Sequence, residues 1–211
     1  NLKYLSFTAC GVTGSIIEEI FTLTSLTTLN LSLNKLNGNI PKNISLLVNL
    51  VDLNLRNNEL SGHIPIELFS LTKLEQLTLA CNKLIGVIPE EISNLTNLNI
   101  LMLNENKLDG SILNEISKLT KLEHLDLQYN ELYGEIPVGL SNISKLNSVN
   151  LGNNKLSGKI PMELKKKFST SFWFLCTNYF DKEEDIPQSW DTRAAFQIIP
   201  LQPKSARNIR D

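Results

Sequence analysis

The stretch "LVDLNLRNNELSGHIPIEL", residues 50–68, contains the two patterns that decide the fold. Its first half alternates apolar and polar residues, and Leu53 and Leu55 are spaced as the inward side chains of a short β-strand. Asn58 follows where that strand ends, and its amide group can both donate and accept hydrogen bonds. We therefore predict a short strand that runs into a turn held by an asparagine side chain.

The second half of the same stretch redirects the chain. Gly62 supplies backbone freedom at the next bend, and Pro65 fixes φ where the return segment begins. Leu68 and, beyond the stretch, Leu71 and Leu74 are placed to close the coil from the opposite side. One such unit cannot bury its own leucines, so it requires neighbours of the same shape.

The unit repeats with a period of about 24 residues. Asparagine recurs in step at the end of each predicted strand, and Cys10 takes the same position one period earlier. The predicted asparagine ladder consists of Asn34, Asn58, Asn82, Asn106, Asn130 and Asn154. A glycine stands four residues after each of these positions, and an isoleucine follows two residues later. Stacked in a solenoid, the asparagine amides satisfy turn groups that would otherwise be buried without partners.

This spacing resembles the plant-type leucine-rich repeat, whose pattern is L-x-x-L-x-L-x-x-N-x-L-x-G-x-I-P, and the resemblance covers residues 2 to about 164. It implies an α/β-type solenoid, a right-handed superhelix with a parallel β-sheet on the concave face and a mostly irregular or 3-10 helical convex side. It also implies a second short strand near each Gly-x-Ile-Pro segment. Two of the seven units depart from the pattern, with Ile17 and Leu113 in place of proline.

We divide the chain into three parts on this basis. Residues 1–164 hold seven repeats of 24 residues, and residues 165–185 hold a degenerate eighth repeat or cap followed by an acidic linker. In the eighth repeat Asn178 stands in phase with the ladder, and Trp173 replaces a leucine. Residues 186–211 form an irregular tail, because the repeat pattern fails there.

The tail also resembles a different family. The segment Ile186–Arg193, "IPQSWDTR", is similar to the start of the mature domain of papain-family cysteine proteases of the cathepsin-B-like branch. The segment Ala206–Asp211, "ARNIRD", resembles the residues just before that family's active-site motif. The resemblance implies that a longer parent protein is a cysteine-type peptidase with a repeat-built recognition arm. It carries over no catalytic residue to this chain, and the alternative is an irregular tail with a chance match.

The cysteines and sequons give conflicting indications of location. Stacked coils about 4.8 Å apart separate the cysteines too far for a disulfide, so free thiols are expected at Cys10, Cys81 and Cys176. The sequons at Asn94 and Asn142 fall on exposed convex positions, although sequons occur about as often as the composition predicts by chance. On balance the sequence favours a secretory, endolysosomal or extracellular location over a cytoplasmic one.

Side chains that point outward from the concave strands are the candidate binding residues, since a rigid sheet presents them in fixed positions. They are short and polar in the first coils, whereas the fourth and fifth full repeats present methionine, aromatic and carboxylate side chains. Such side chains bury contact area with little loss of conformational entropy. The predicted ligand-binding patch is Ile100, Met102, Glu105, His124, Asp126, Gln128 and Tyr129.

A Ser-His-Asp arrangement is conceivable in the same place, because His124 and Ser148 fall on neighbouring strands with Asp126 two residues along. Two residue rises, however, put Asp126 about 7 Å from His124. No feature of the sequence supplies an oxyanion hole. We therefore predict no catalytic, cofactor or metal site. The net charge of −2 and the lack of a long apolar run predict neither nucleic-acid binding nor a membrane segment.

These observations favour a monomeric recognition module that binds a protein, peptide or glycan on its concave face and has no activity of its own. One alternative is a fragment of a receptor-kinase-like ectodomain, which predicts paired-cysteine caps and a downstream transmembrane segment. The other is a defence protein that resembles polygalacturonase inhibitors, which predicts a cysteine-bonded cap and a strongly charged concave patch.

Overall fold

The chain winds into a solenoid of stacked coils, which a computed structural model describes for residues 1–167 and 171–180. A typical coil contributes one strand to a long sheet, turns at an asparagine, forms a short second strand and returns through a helix. The strands of the described residues are β1 Tyr4–Ser6, β2 Thr13–Gly14, β3 Thr28–Asn30, β4 Lys35–Asn39, β5 Asp52–Asn54, β6 Glu59–Gly62, β7 Gln76–Thr78, β8 Lys83–Val87, β9 Ile100–Met102, β10 Lys107–Asp109, β11 His124–Asp126, β12 Tyr133–Gly134, β13 Ser148–Asn150, β14 Lys155–Gly158, β15 Phe172–Phe174 and β16 Tyr179–Phe180.

The return segments are short helices. In the described residues, 3-10 helices lie at Glu18–Thr22, Lys42–Leu46, Ile66–Ser70, Glu90–Asn94, Asn114–Lys118 and Val138–Asn142, and the α-helix α1 lies at Met162–Lys165. Proline precedes several of them in an extended conformation, for example Pro65 with φ −67° and ψ 133°. Because proline fixes φ and has no N–H to donate, it suits the position directly before a helix.

Within the described residues, the long sheet has the strand order β1-β3-β5-β7-β9-β11-β13-β15, and its pairs are parallel. The register follows the repeat, so that Leu53 lies opposite Leu29 on one side and Leu77 on the other. The second strands form two shorter parallel sheets, β2-β4-β6-β8-β10 and β12-β14-β16. The predicted solenoid, with one long parallel sheet and a 3-10 helical opposite side, is therefore confirmed.

The interior is a continuous apolar core built from the repeated leucines and isoleucines. In the coil that contains Asn58, the side chains of Leu53, Leu55 and Leu68 are fully buried. In the last described coil Trp173 and Phe180 take leucine positions and are buried as well. Burial of an aliphatic side chain stabilises the fold by about 1.5–3 kcal/mol, so the stacking of coils provides the main stabilisation.

The asparagine side chains link each coil to its neighbours. Asn58 Nδ2 donates to the carbonyl oxygens of Leu31 at 2.9 Å and Leu55 at 3.1 Å, while its Oδ1 accepts the Leu36 N–H at 3.0 Å. Equivalent bonds are made by Asn34, Asn82, Asn106, Asn130, Asn154 and Asn178. The amides thus give partners to backbone groups at each turn, as a repeated asparagine at this position requires.

The eighth coil continues the solenoid with β15, which pairs in parallel with β13. Asn178 then extends the row of asparagine side chains by one coil. The acidic linker at 181–185 and the tail at 186–211, including the segments that resemble a papain-family protease, lie outside the described residues.

Candidate ligand-binding face

Two adjacent strands of the long sheet carry four of the residues predicted to bind ligand. Ile100 lies opposite His124, and Met102 lies opposite Asp126, in the parallel pair β9 and β11. The residue between each two of these is a buried leucine, Leu101 on β9 and its counterpart on β11. Since side chains alternate along a strand, the four predicted side chains point away from the core, on the concave face.

The other three predicted residues lie at the ends of the same two strands. The Glu105 N–H donates to the Gln128 carbonyl oxygen at 2.9 Å, and the Asn106 N–H donates to the Tyr129 carbonyl oxygen at 3.1 Å. Glu105 and Tyr129 have φ values of 55° and 51°, in the left-handed region that side-chain-bearing residues rarely adopt. Each directly precedes a ladder asparagine, whose hydrogen bonds hold this turn. All seven predicted residues therefore lie on two neighbouring coils.

The Asp126 carboxylate on this face is partly removed from water. Its Oδ1 accepts the Gln128 N–H at 3.1 Å. Burial raises the pKa of the Asp126 carboxyl, the Gln128 N–H lowers it, the Glu105 carboxylate raises it and the Arg56 guanidinium lowers it. Removal from water is the largest of these influences, so the ionised carboxylate is short of the solvation it would have in an exposed position.

Arg56 lies three coils away from Asp126, but its positive charge lowers the pKa of that carboxyl. Its Nε donates to the Asn57 side-chain oxygen at 2.9 Å. Burial raises the pKa of the Cys81 thiol, the Glu105 carboxylate raises it further and the Arg56 guanidinium lowers it. The charges of Arg56 and Glu105 therefore act on the same thiol and on the same aspartate. Ala80, in the coil next to that of Arg56, occupies the same repeat position and is fully buried.

Asn104 lies beside these groups and differs from the ladder asparagines. Its residue is only 4% exposed, and its Oδ1 is buried without a hydrogen-bond partner. Its backbone carbonyl accepts the Cys81 N–H at 2.9 Å, and Glu105 follows it directly in the chain. We refer to Arg56, Cys81, Asn104, Glu105 and Asp126 as the central cluster. Sequence reasoning left three of them, Arg56, Cys81 and Asn104, out of the patch, although their outward position in the repeat was a usable signal.

The first coils of the concave face are arranged differently. Ser32 occupies the repeat position of Asn104, and its hydroxyl donates to the Asn30 Oδ1 at 2.7 Å. The Ser32 N–H donates to the same oxygen at 3.0 Å. Ser32 is 5% exposed, about as buried as Asn104. Ser32 and Asn30 of this coil are thus bonded to each other.

The structure does not assemble the hypothetical Ser-His-Asp group into a hydrogen-bonded arrangement. His124 lies opposite Ser148 in the register of β11 and β13. Asp126, however, directs an oxygen to the Gln128 N–H. Among the residues that the structure describes, no hydrogen bond connects the three side chains.

Other chemistry is limited on the described part of the chain. No group of three or more His, Cys, Asp or Glu side chains is arranged there to hold a metal ion. None of the described helices is both long and apolar enough to cross a membrane. The three cysteines, Cys10, Cys81 and Cys176, are unpaired thiols.

Comparison with known families identifies the repeats. One leucine-rich repeat family model matches residues 62–132, and a second matches residues 25–47, 49–71 and 145–166. The repeats of this chain are therefore leucine-rich repeats, and the predicted resemblance over residues 2 to 164 is confirmed to that extent. The matched segments end at residue 166, and none supports the papain-like interpretation of the tail. No curated protein sequence matches the chain.

Solved structures place the same fold in plant receptors. A TDR receptor is 30% identical to this chain with a TM-score of 0.80, and the match covers 90% of this chain and 32% of the receptor chain. The plant peptide hormone receptor RGFR1, in complex with RGF2, is 33% identical with a TM-score of 0.77, over 81% of this chain and 27% of its own. A third structure is that of the Arabidopsis receptor kinase HAESA in complex with the peptide hormone IDA and the co-receptor SERK1. It is 33% identical with a TM-score of 0.74, and the match covers 84% of this chain and 30% of the HAESA chain. This chain thus spans about a third of the length of these structures or less.

Proposed function

We propose that the chain is a ligand-recognition segment of a larger receptor-like protein, and that it binds a peptide or a peptide-like part of a protein on its concave face. One observation carries the proposal. Apolar, aromatic and charged side chains from two adjacent coils stand together on a rigid parallel sheet, and Glu105, His124 and Tyr129 among them are exposed. Two of the similar structures support it, since one is a plant peptide hormone receptor in complex with RGF2 and the other is a receptor kinase in complex with the peptide hormone IDA.

The same comparison supports a proposal about location. The similar structures include receptor kinases and an ectodomain of a plant membrane receptor kinase. We therefore propose that this segment works outside the cell, where unpaired thiols are less common than disulfides. Fold similarity alone does not fix a ligand, so the choice of ligand has to be argued from the side chains of the face.

Selection of displayed random peptides on the purified chain tests the proposal. We expect selected peptides to lose at least about tenfold in affinity for a His124→Ala/Tyr129→Ala double variant, because aromatic residues at the centre of an interface contribute strongly to binding. The matched control is His63→Ala/Tyr133→Ala, since His63 is exposed and Tyr133 is 55% exposed, close to the 53% of Tyr129, but both lie off the long sheet.

The two double variants remove the same kinds of side chain from different faces. Thermal unfolding of both must match that of the unchanged protein, so that binding losses reflect contacts alone. Equal affinity of the selected peptides for the two variants, or failure to select any peptide, would contradict binding at this face.

A further inference from the structure

The central cluster carries more acceptors than donors. Glu105 and Asp126 contribute two negative charges, and Arg56 contributes one positive charge, so one negative charge is left over. The pKa of the Cys81 thiol is raised mainly by burial, which keeps the thiol neutral and adds no charge. A partner of the cluster therefore has to bring positive charge.

An uncompensated buried acceptor lies in the same place. Asn104 follows the buried Leu103 on the chain, so its side chain is directed toward the concave face with those of Arg56 and Gln128 in the same repeat position. Its Oδ1 has no hydrogen-bond partner although the residue is only 4% exposed. Nearly all buried polar atoms in native proteins have a partner, so an exception of this kind needs an explanation. A donor supplied by a ligand provides one.

The geometry ties these groups together. The Cys81 N–H donates to the Asn104 carbonyl oxygen at 2.9 Å, and the Glu105 N–H donates to the Gln128 carbonyl oxygen at 2.9 Å. The Asp126 Oδ1 accepts the Gln128 N–H at 3.1 Å. Backbone hydrogen bonds of a parallel sheet therefore hold the residues that carry two carboxylates and one amide oxygen on adjacent coils, and the Glu105 carboxylate is near enough to raise the pKa of Asp126. A planar donor group can bond two such acceptors at once.

A metal ion is a poor candidate for this position. Hard divalent cations take about six or more oxygen ligands, and the described residues contain no group of three or more suitable side chains arranged for one. A guanidinium group has five N–H donors in one plane and binds carboxylates through two of them at once. Arg56 already places one guanidinium against this cluster, which shows that the local surface accommodates that chemistry.

We propose that the central cluster is the specificity site for a basic side chain of the ligand, arginine in preference to lysine, which enters between Glu105 and Asp126 and donates to the Asn104 Oδ1. The inference rests on the proposed function, since it concerns a ligand of the concave face. It names the chemical class of that ligand, a peptide with an exposed basic residue.

The test compares peptide selections on the purified full chain. Displayed random peptides are selected on the unchanged protein and on Glu105→Gln/Asp126→Asn, which keeps side-chain shape and removes two negative charges. The matched control is Glu59→Gln/Glu131→Gln, because both of these exposed glutamates lie off the long sheet and the same two charges are lost. We expect arginine to be enriched on the unchanged protein and on the control, and to fall to its library frequency on Glu105→Gln/Asp126→Asn.

A synthetic peptide sharpens the result. When the enriched arginine of a selected peptide is replaced by citrulline, which is neutral and nearly the same shape, affinity for the unchanged protein should fall about tenfold or more. The same replacement should change affinity for Glu105→Gln/Asp126→Asn less than about twofold, because the charged partners are already gone. An Arg56→Gln variant should enrich arginine more strongly than the unchanged protein does, and weaker enrichment on that variant contradicts the assignment.

The outcomes separate the two proposals. If peptides are selected and depend on His124 and Tyr129 but show no arginine enrichment, the cation site is wrong and concave-face recognition stands. Arginine enrichment that is lost equally on the control variant reflects general charge attraction and also overturns the cation site. If no peptide is selected, or binding ignores His124 and Tyr129, the proposed function fails and the cation site fails with it.

Discussion

The first coils and the central coils of the concave face use the same repeat positions in opposite ways. In the first coils the hydroxyl and the N–H of Ser32 both donate to the Asn30 Oδ1. In the central coils Asn104, at the position of Ser32, has a buried oxygen without a partner, and Asp126, at the position of Asn30, is a partly desolvated carboxylate. In the first coils these polar side chains are bonded to each other, whereas in the central coils the Asn104 oxygen lacks a donor.

This difference is informative because the backbone is the same in both regions. The strands pair in parallel with the same register, and the asparagine side chains at the turns make equivalent bonds. A buried acceptor without a donor lowers stability by about 1–3 kcal/mol, so a stable scaffold gains nothing from it in isolation. Such groups concentrate at functional sites, where a ligand supplies what the fold does not.

The largest loss of stability should come from substitution of Asn106, whose amide both donates and accepts hydrogen bonds. Asn106 lies two residues after Asn104, whose side-chain oxygen has no partner. We expect Asn106→Ala to destabilise the protein by about 3 kcal/mol, because the Leu84 N–H loses its acceptor and the Leu79 and Leu103 carbonyls lose a donor. Chemical denaturation of the purified protein measures this value. Asn94→Ala, on the exposed convex side, is the control and should change stability by less than about 0.5 kcal/mol. Similar midpoints for the two variants would contradict the structural role of the ladder.

The sequence alone predicts the repeated scaffold of the solenoid well. A repeat of fixed length forces equivalent residues into equivalent places, so the strand, the asparagine turn and the buried leucines can be read from the residues around Asn58. The second short strand followed from family resemblance, and it runs into the start of the Gly-x-Ile-Pro segment, as Glu59–Gly62 shows. Periodicity makes such predictions strong because each coil tests the same pattern again.

The candidate site was only partly predictable, for a physical reason. Alternation along a strand indicates which side chains face outward, and this brought Glu105 and Asp126 into the predicted patch. It does not indicate where the charge of a long side chain lies, so the influence of Arg56 on Cys81 and Asp126 was missed. Nor does it distinguish a bonded amide from an unbonded one, which is why Asn104 was passed over. Those features depend on rotamers and neighbours in three dimensions.

A smaller effect is expected in the first coils. Ser32→Ala removes the hydroxyl that donates to the Asn30 Oδ1 at 2.7 Å. The Asn30 oxygen keeps the Ser32 N–H, so only one of two bonds is lost and the cost should be about 1 kcal/mol. Chemical denaturation at neutral pH measures it. Stability equal to that of the unchanged protein would mean that the hydrogen bond between Ser32 and Asn30 does not stabilise the first coils.

Substitution of Asp126 should raise stability, whereas the substitutions above lower it, and the size of the change should depend on pH. Burial is the main cause that raises the pKa of its carboxyl in the fold, so the folded protein holds this proton to a higher pH than the unfolded chain does. Stability contributed by this group is therefore lost as pH rises through the folded pKa. Asp126→Asn removes the charge, and we expect it to be slightly more stable than the unchanged protein at pH 7, by less than about 1 kcal/mol.

The pH profile separates this cause from a change in packing. The advantage of Asp126→Asn should shrink as pH falls through the folded pKa and should vanish below the ordinary aspartate pKa, where both states of the unchanged protein are protonated. Thermal unfolding of both proteins across this range provides the measurement. An advantage that is independent of pH, or a loss of stability at pH 7, would show that the carboxylate is well solvated in the fold.

The smallest effect should come from Asn104→Ala, and its near absence is informative. The substitution removes an acceptor that has no partner in the fold, and the preceding coil already carries a fully buried alanine, Ala80, in the same repeat position. We expect stability to change by less than about 0.5 kcal/mol, because the lost packing contacts are offset by removal of the unpaired oxygen. The comparison with Ser32→Ala is matched, since both variants place alanine at one repeat position with similar burial. A cost of about 2 kcal/mol or more for Asn104→Ala would mean that its side chain is satisfied within the fold, and the central coils would then be bonded as the first coils are.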